Sequence, residues 1–192
     1  MAAPLLRSPD LMNRNDTVLL VIDVQERLLA VQPEAGRIIW NCRRLLDAAQ
    51  PLGVTVAARV QAPEKLGPLA TPLAERCPEP IGKTSFSAAD ITLQLDAWRD
   101  AGVRHVLLVG IETHVCIAQT AIDLISRGFD AKVAVDAVGS RHEEDHTVAL
   151  RRMESSGVML TTTEAVLFEW CVNAQDPAFR SISALAKETL DT

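Results

Sequence analysis

Tyrosine is absent, and aromatic residues make up only 4% of the chain, which argues against a pocket lined by several stacking rings. No apolar stretch approaches the roughly 18 residues needed to span a bilayer. There is no long run of charge of either sign, and the net charge is −6. Neither the basic footprint of a nucleic-acid binder nor a membrane-surface patch is present, so neither partner is expected. The segment Met1-Ala-Ala-Pro-Leu-Leu-Arg7 is too short and too interrupted by proline for a signal-peptide core. Two arginines beside Asp10 make a poor organellar transit peptide. Cysteines are few and scattered: Cys42, Cys77, Cys116 and Cys171 form no C-x-x-C pair. That argues against a disulfide framework and a structural zinc site, and for a reducing, cytoplasmic setting. Cys42 falls on the apolar face of a helix and Cys171 late in another, where thiols serve as core residues.

What is there reads as one domain over residues 1–192, long enough for a sizeable core. Hydrophobic residues at 48% and charged residues at 23% suit a soluble globular protein. Apolar, β-branched runs of strand length recur at Val18–Ile22, Val54–Val60, Val106–Val109, Lys132–Val135 and Val158–Thr161, with a short sixth strand near Pro80–Lys83. Helical patterns lie between them at Arg37–Gln50, Asp90–Ala101, Cys116–Arg127, Glu143–Ser155 and Thr163–Val172. Asp176-Pro177 opens a last helix that runs to about 190. Near-continuous apolar strands alternating with helices mean a three-layer α/β/α fold with a doubly wound, mostly parallel sheet of five to six strands. The core covers about 17–172. Residues 61–82 hold Pro63, Pro68, Pro72, Pro78 and Pro80, a long irregular excursion of the kind that is usually functional. In doubly wound sheets ligands bind beyond the carboxyl ends of the strands, where strand order reverses. With five strands or six, the two common orders put Val18–Ile22 beside Val106–Val109 at that reversal. Asp23 follows the first of these directly and Cys116 follows the second by one turn, so the topology alone predicts that the two meet.

The stretch Gly110-Ile-Glu-Thr-His-Val-Cys116 therefore carries most information. It places Cys116 where a central strand turns into a helix. Free amides and the positive end of the helix dipole there favour thiolate over thiol, which predicts a pKa below the reference of about 8.5. A thiolate nucleophile needs a base, and Asp23, partly desolvated at a strand end, fits. A cation would stabilise charge nearby, and Lys83, in Gly82-Lys-Thr-Ser-Phe-Ser87, is the candidate. The amides at 112 to 116 offer an oxyanion hole.

Val21-Ile-Asp-Val-Gln25, Lys83-Thr-Ser-Phe-Ser87, Gly110-Ile-Glu-Thr-His-Val-Cys116 and Val135-Asp-Ala-Val-Gly-Ser-Arg141 occur in this order. Together they resemble the isochorismatase-like family of cysteine hydrolases, relatives of nicotinamidases and N-carbamoyl amidohydrolases, over about residues 17 to 172. The resemblance is nearest to the short isochorismatase-domain proteins. It implies an Asp23–Lys83–Cys116 triad, in which Cys116 attacks a carbonyl or amide carbon, Asp23 relays protons and Lys83 holds the charge balance. It also implies a cis, non-proline peptide at Ile111–Glu112, turning the Glu112 amide toward the oxyanion beside that of Cys116. Metal-using nicotinamidases carry an Asp/His cluster after the second strand, whereas the corresponding Arg59-Val-Gln-Ala-Pro63 holds no such ligands. No metal and no cofactor are expected, and nicotinamide is not implied. Isochorismate is not implied either, because a fold does not determine its substrate.

Each of these residues also has a plainer reading. Cys116 can be a small core residue, Asp23 a turn cap and Lys83 a solvated lysine. Gln25 either lines the site or starts the next helix. Phe86, Thr113 and His114 are candidates for the pocket wall; His114 is a poor base for Cys116, because neighbours two apart do not face each other on a helix. His142-Glu-Glu-Asp-His146 matches a zinc-protease pattern, but it sits at a helix start crowded with acids and reads as a solvated first turn. Asp136 and Arg141 read as braces behind the site. The expected function is a cysteine-dependent hydrolase of a small amide, ester or vinyl-ether-like substrate, with the protein paired to copies of itself. The alternatives are a thiol-based binding or redox-sensing protein without turnover, and a scaffold whose oligomer surface is its function.

Overall fold

The structure, a computed structural model, describes residues 7–190. The leader reading of Met1–Arg7 falls almost wholly outside them. Six strands form one sheet in the order β3-β2-β1-β4-β5-β6, with every pairing parallel. They are β1 Thr17–Ile22, β2 Thr55–Gln61, β3 Ile81–Lys83, β4 His105–Ile111, β5 Asp130–Gly139 and β6 Met159–Thr161. Strand order reverses between β1 and β4, which pair from Thr17↔His105 to Ile22↔Gly110. Every residue of β1 and β4 is buried, as continuous apolar runs covered on both faces must be.

The helices are α1 Glu26–Leu29, α2 Ala35–Leu52, α3 Pro63–Leu66, α4 Thr71–Ala74, α5 Thr92–Asp100, α6 Ala118–Ser126, α7 Glu143–Ser155, α8 Thr163–Cys171 and α9 Phe179–Ala186. Ile38, Leu45, Leu167, Trp170 and Ile182 from α2, α8 and α9 pack with Leu19 and Val21 on one face of the sheet. Leu95, Trp98, Leu124 and Met153 from α5, α6 and α7 pack with Leu20 and Ile22 on the other. The result is three layers. Cys42 and Cys171 lie in the first of these cores, as their helical positions predicted.

Several boundaries differ from the sequence reading for local reasons. α2 runs through Pro51 to Leu52, because a proline in the last turn removes only one bond before Gly53, at φ 70°, stops the helix. α5 begins at Thr92, since the Asp90 carboxylate is held by Arg59 and Ser85 and does not cap it. A π-helical turn, Thr113–Ile117, separates β4 from α6, so Cys116 sits within that turn and not at the first residue of an α-helix. α9 starts later and ends earlier than 177–190. No helix among the described residues is long and apolar enough to cross a membrane.

His105, at the other end of β4, is 1% exposed, and among the described residues neither ring nitrogen has a hydrogen-bond partner. Burial holds its pKa below the ordinary 6.5, with Lys132 assisting and Asp16 opposing. A base whose pKa is depressed on folding contributes stability that is complete above its unfolded value. That stability is lost as pH falls through the lower folded value. Wild type is therefore expected to lose stability to urea between pH 7 and pH 5 more steeply than His105→Gln. Parallel pH profiles for the two would rule this out.

Candidate active site

The chain leaves β1 at Asp23 in the left-handed region, φ 56°, which Asp tolerates better than most residues. The Asp23 amide donates to Arg59 O at 2.9 Å, and the Gln25 amide returns to Asp23 O at 2.8 Å. This tight reversal leaves the carboxylate at the end of the sheet, 0% exposed. Lys83, the last residue of β3, is 4% exposed. Its Nζ donates to Asp23 Oδ2 at 2.7 Å and lies 3.6 Å from Cys116 Sγ. The three residues proposed from the sequence, 23, 83 and 116, thus converge on one point. The Ile111–Glu112 peptide that precedes the π-helical turn is cis.

Lys83 has three further acceptors: Gln61 Oε1 at 2.6 Å, Phe86 O at 3.2 Å and Ser85 O at 3.3 Å. Gln61 was not singled out from the sequence, where it stood only in a stretch lacking metal ligands. Its one signal is its place at the carboxyl end of β2, beside β1. Its carboxamide orientation is determined, because Nε2 donates to Thr84 O at 2.9 Å and leaves Oε1 for Lys83.

The electrostatics depart from expectation. Burial pushes the Cys116 thiol up to about 12, and the Asp23 carboxylate adds to the rise; Lys83 opposes both. The expected low-pKa thiolate is therefore corrected to a protonated thiol at neutral pH. Cys116 is only 7% exposed. The amides of Val115 and Ile117 are also occupied, donating to Glu112 O at 3.1 and 3.2 Å, so fewer amides face the sulfur than an α-helical start would leave. Burial raises the Asp23 pKa against the pull of Lys83 and of the thiol. Its Oδ2 is taken by Lys83, while among the described residues Oδ1 has no well-formed hydrogen bond and is the acceptor left to the nearby thiol. Burial pushes the Cys77 thiol up to about 11 and raises those of Cys42 and Cys171, so no cysteine rests as thiolate.

The remaining predicted residues brace the site. Gln25 is 0% exposed; its carboxamide donates to Gln61 O at 3.1 Å and Gly67 O at 2.6 Å and accepts from the Gln61 amide at 2.9 Å. It pins the proline-rich loop across the end of β1, and Ala70 N→Val24 O at 2.8 Å completes the closure. Thr113 Oγ1 pairs with His146 Nδ1 and His114 Nδ1 with Ser140 Oγ, both at 3.0 Å. The Phe86 ring is exposed, and only its carbonyl meets Lys83. Burial pushes the Glu112 carboxylate up, but bonds from Gln32 and Arg141 together draw it below its ordinary value. Asp136 accepts from the amide and hydroxyl of Thr163 at 2.8 and 3.0 Å, so it and Arg141 are the braces foreseen. His142 stands at the start of α7 and His146 bonds Thr113; among the described residues no group of three His, Cys, Asp or Glu side chains is placed to hold a metal ion. A cavity of about 370 Å³ opens beside Lys83, Thr84 and Asp90. Another, of about 380 Å³, lies over Arg37, Ser140 and His146.

Residues 17–165 match the model of the isochorismatase domain. Isochorismatase domain-containing protein 2 of Danio rerio is 37% identical over 169 residues, covering 88% of this chain and 86% of that protein. A solved structure described as MAR1 ribonuclease from Caenorhabditis elegans superposes with a TM-score of 0.88 at 36% identity, over 94% of each chain. The YcaC gene product of Escherichia coli, described as an octameric hydrolase of unknown specificity, superposes at 0.82 with 26% identity, over 96% of this chain and 91% of that one.

Proposed function

Because the chain belongs to the isochorismatase domain family, we propose that it is a cysteine hydrolase of a small amide, ester or vinyl-ether-like substrate, working through Asp23, Lys83 and Cys116. One observation carries this reading: a buried thiol shares Lys83 with a carboxylate whose second oxygen is unpaired. For an amide or ester, the Cys116 thiol gives its proton to Asp23 as sulfur bonds to the carbonyl carbon and the π pair moves to oxygen. The amides of Glu112 and Cys116 receive that oxyanion, with the Lys83 ammonium close by. Collapse breaks the bond to the leaving group, which takes the proton from Asp23. Asp23 then deprotonates a water, which cleaves the thioester and returns the thiol. The raised pKa of Asp23 suits a group that accepts and returns a proton. No metal or cofactor enters this scheme.

A buried reaction centre favours a small metabolite, and the net charge of −6 disfavours an RNA chain, whatever the C. elegans protein acts on. Exposed Ile81, Phe86 and Leu93 flank the edge strand β3, which supports association with further copies, as the E. coli relative associates. A reducing compartment such as the cytoplasm suits four free thiols. The test is a panel of small amides and esters offered to wild type and Cys116→Ser. Turnover in wild type with loss of at least about 10²-fold in the variant is expected. Equal turnover in both would end the proposal. Peroxide sensitivity of Cys116 with no hydrolysis of any compound would favour a redox sensor instead.

A further inference from the structure

Arg59 is 2% exposed on β2, and among the described residues it has a single side-chain partner: Nη2 donates to Asp90 Oδ1 at 2.8 Å, while Nε and Nη1 have none. Burying a guanidinium so poorly satisfied carries a large desolvation cost. One ion pair with a carboxylate that is itself 40% exposed does not offset that. Stability alone therefore gives no reason for arginine here.

Two contacts tie Arg59 to the site. Its carbonyl accepts the Asp23 amide at 2.9 Å. Its side chain, through Asp90, holds the loop that follows Lys83. Ser85 Oγ donates to Asp90 Oδ2 at 2.5 Å, and the carbonyls of Ser85 and Phe86 receive Lys83 Nζ. The loop is held at its far side too, where Thr120 Oγ1 accepts from the Ala88 amide at 2.8 Å and donates to Cys116 O at 2.6 Å. One residue of β2 thus anchors both members of the 2.7 Å Lys83–Asp23 contact, the carboxylate by its backbone and the ammonium by its side chain.

We propose that Arg59, acting through Asp90 and Ser85, is a positioning residue that keeps the Lys83 ammonium beside the Cys116 sulfur. The inference rests on Cys116 being the reactive group. Arg59 touches no reacting atom. Released from the loop, Lys83 retains its two shortest partners, Asp23 and Gln61, and its longest approach, 3.6 Å to sulfur, is the first to open. Lys83 is what lowers the proton affinity of that thiol, so its retreat reduces the thiolate fraction.

The experiment is the rate of iodoacetamide alkylation of Cys116 at pH 9, read by peptide mass spectrometry, with cooperative thermal unfolding as the check on folding. Asp90→Ala is expected to slow alkylation by roughly three- to tenfold, since one pKa unit is a tenfold change in thiolate. Ser85→Ala moves the same way by less. Asp90→Asn recovers most of the rate, because its oxygen still accepts from Arg59 and Ser85 Oγ can turn to accept from its amide. Folded Asp90→Ala alkylating at the wild-type rate overturns the inference. If that variant does not fold, Ser85→Ala decides, since it removes one half-buried hydroxyl. Lys83→Met separates the role of Lys83 from that of Arg59. If it also leaves the rate unchanged, the reading of Lys83 at the thiol fails. If it slows alkylation while Asp90→Ala and Ser85→Ala do not, only the role of Arg59 is lost.

Discussion

Asp23→Asn is expected to abolish turnover while making Cys116 more reactive toward iodoacetamide, not less. The two effects part because Asp23 does two things. On the proposed mechanism it accepts the thiol proton and is needed in the transition state, and losing a general base costs on the order of 10²–10⁴ in rate. As a buried negative charge beside sulfur it raises the thiol pKa, second only to burial itself. Asparagine keeps the shape and removes the charge, so the thiol pKa falls, though burial still holds it above the ordinary value. Each unit of that fall is about a tenfold gain in thiolate at a given pH. Timed alkylation across pH 7 to 10 reads this directly, with Cys77, pushed up to about 11 by its own burial, as the internal standard in the same digest. Slower alkylation of Asp23→Asn at every pH would mean that Asp23 activates the thiol in the resting state, contrary to the electrostatics of the site.

Gly110→Ala is the largest expected effect on the fold. Gly110 lies at φ 117°, and a Cβ there would stand 2.0 Å from Ile22 O and 2.9 Å from Ile22 C. Neither atom belongs to a flexible side chain; both are the backbone of β1 at the residue before Asp23. Accommodation requires β1 and β4 to separate, and with them the carboxylate and the turn that carries Cys116. A loss above roughly 4 kcal/mol is expected, in the range where a small domain fails to fold. Gly128→Ala is the control: φ is 82°, and nothing lies within 4 Å of the added carbon. It should lose only the conformational penalty of about 1–2 kcal/mol. Equilibrium urea unfolding of both separates clash from strain, and equal losses would show that β1 and β4 do not need the close approach.

Much of this architecture was legible residue by residue. Thr17–Ile22 and His105–Ile111 are apolar almost throughout, and a strand buried on both faces has no other way to read. Asp23 directly after the first and Cys116 one turn after the second then had to meet, once strand order reversed between them. Lys83 needed its motif to be noticed, because a lone lysine ending a three-residue strand carries no signal. The boundaries of α5 and α6 were not legible. Asp90 looks like a helix cap until Arg59, 31 positions away, is seen to hold it. The π-helical turn, which packs against α6, α7 and β4, likewise has no local signal in the sequence.

The sequence by itself determined the order of strands and helices, the end of the sheet at which the candidate site lies, and the residue types gathered there. Only the tertiary structure decided their protonation and their supports. The thiol is neutral and not a preformed thiolate, Lys83 is caged by Gln61 and two carbonyls, and Gln25 fastens a loop through its carboxamide. The reason is physical. Periodicity is a local property, read from neighbours in the chain. Desolvation and Coulomb interaction depend on everything nearby in space: here burial by the surrounding core acts first, and residues 23, 61, 83 and 116, which only folding brings together, act on one another within it.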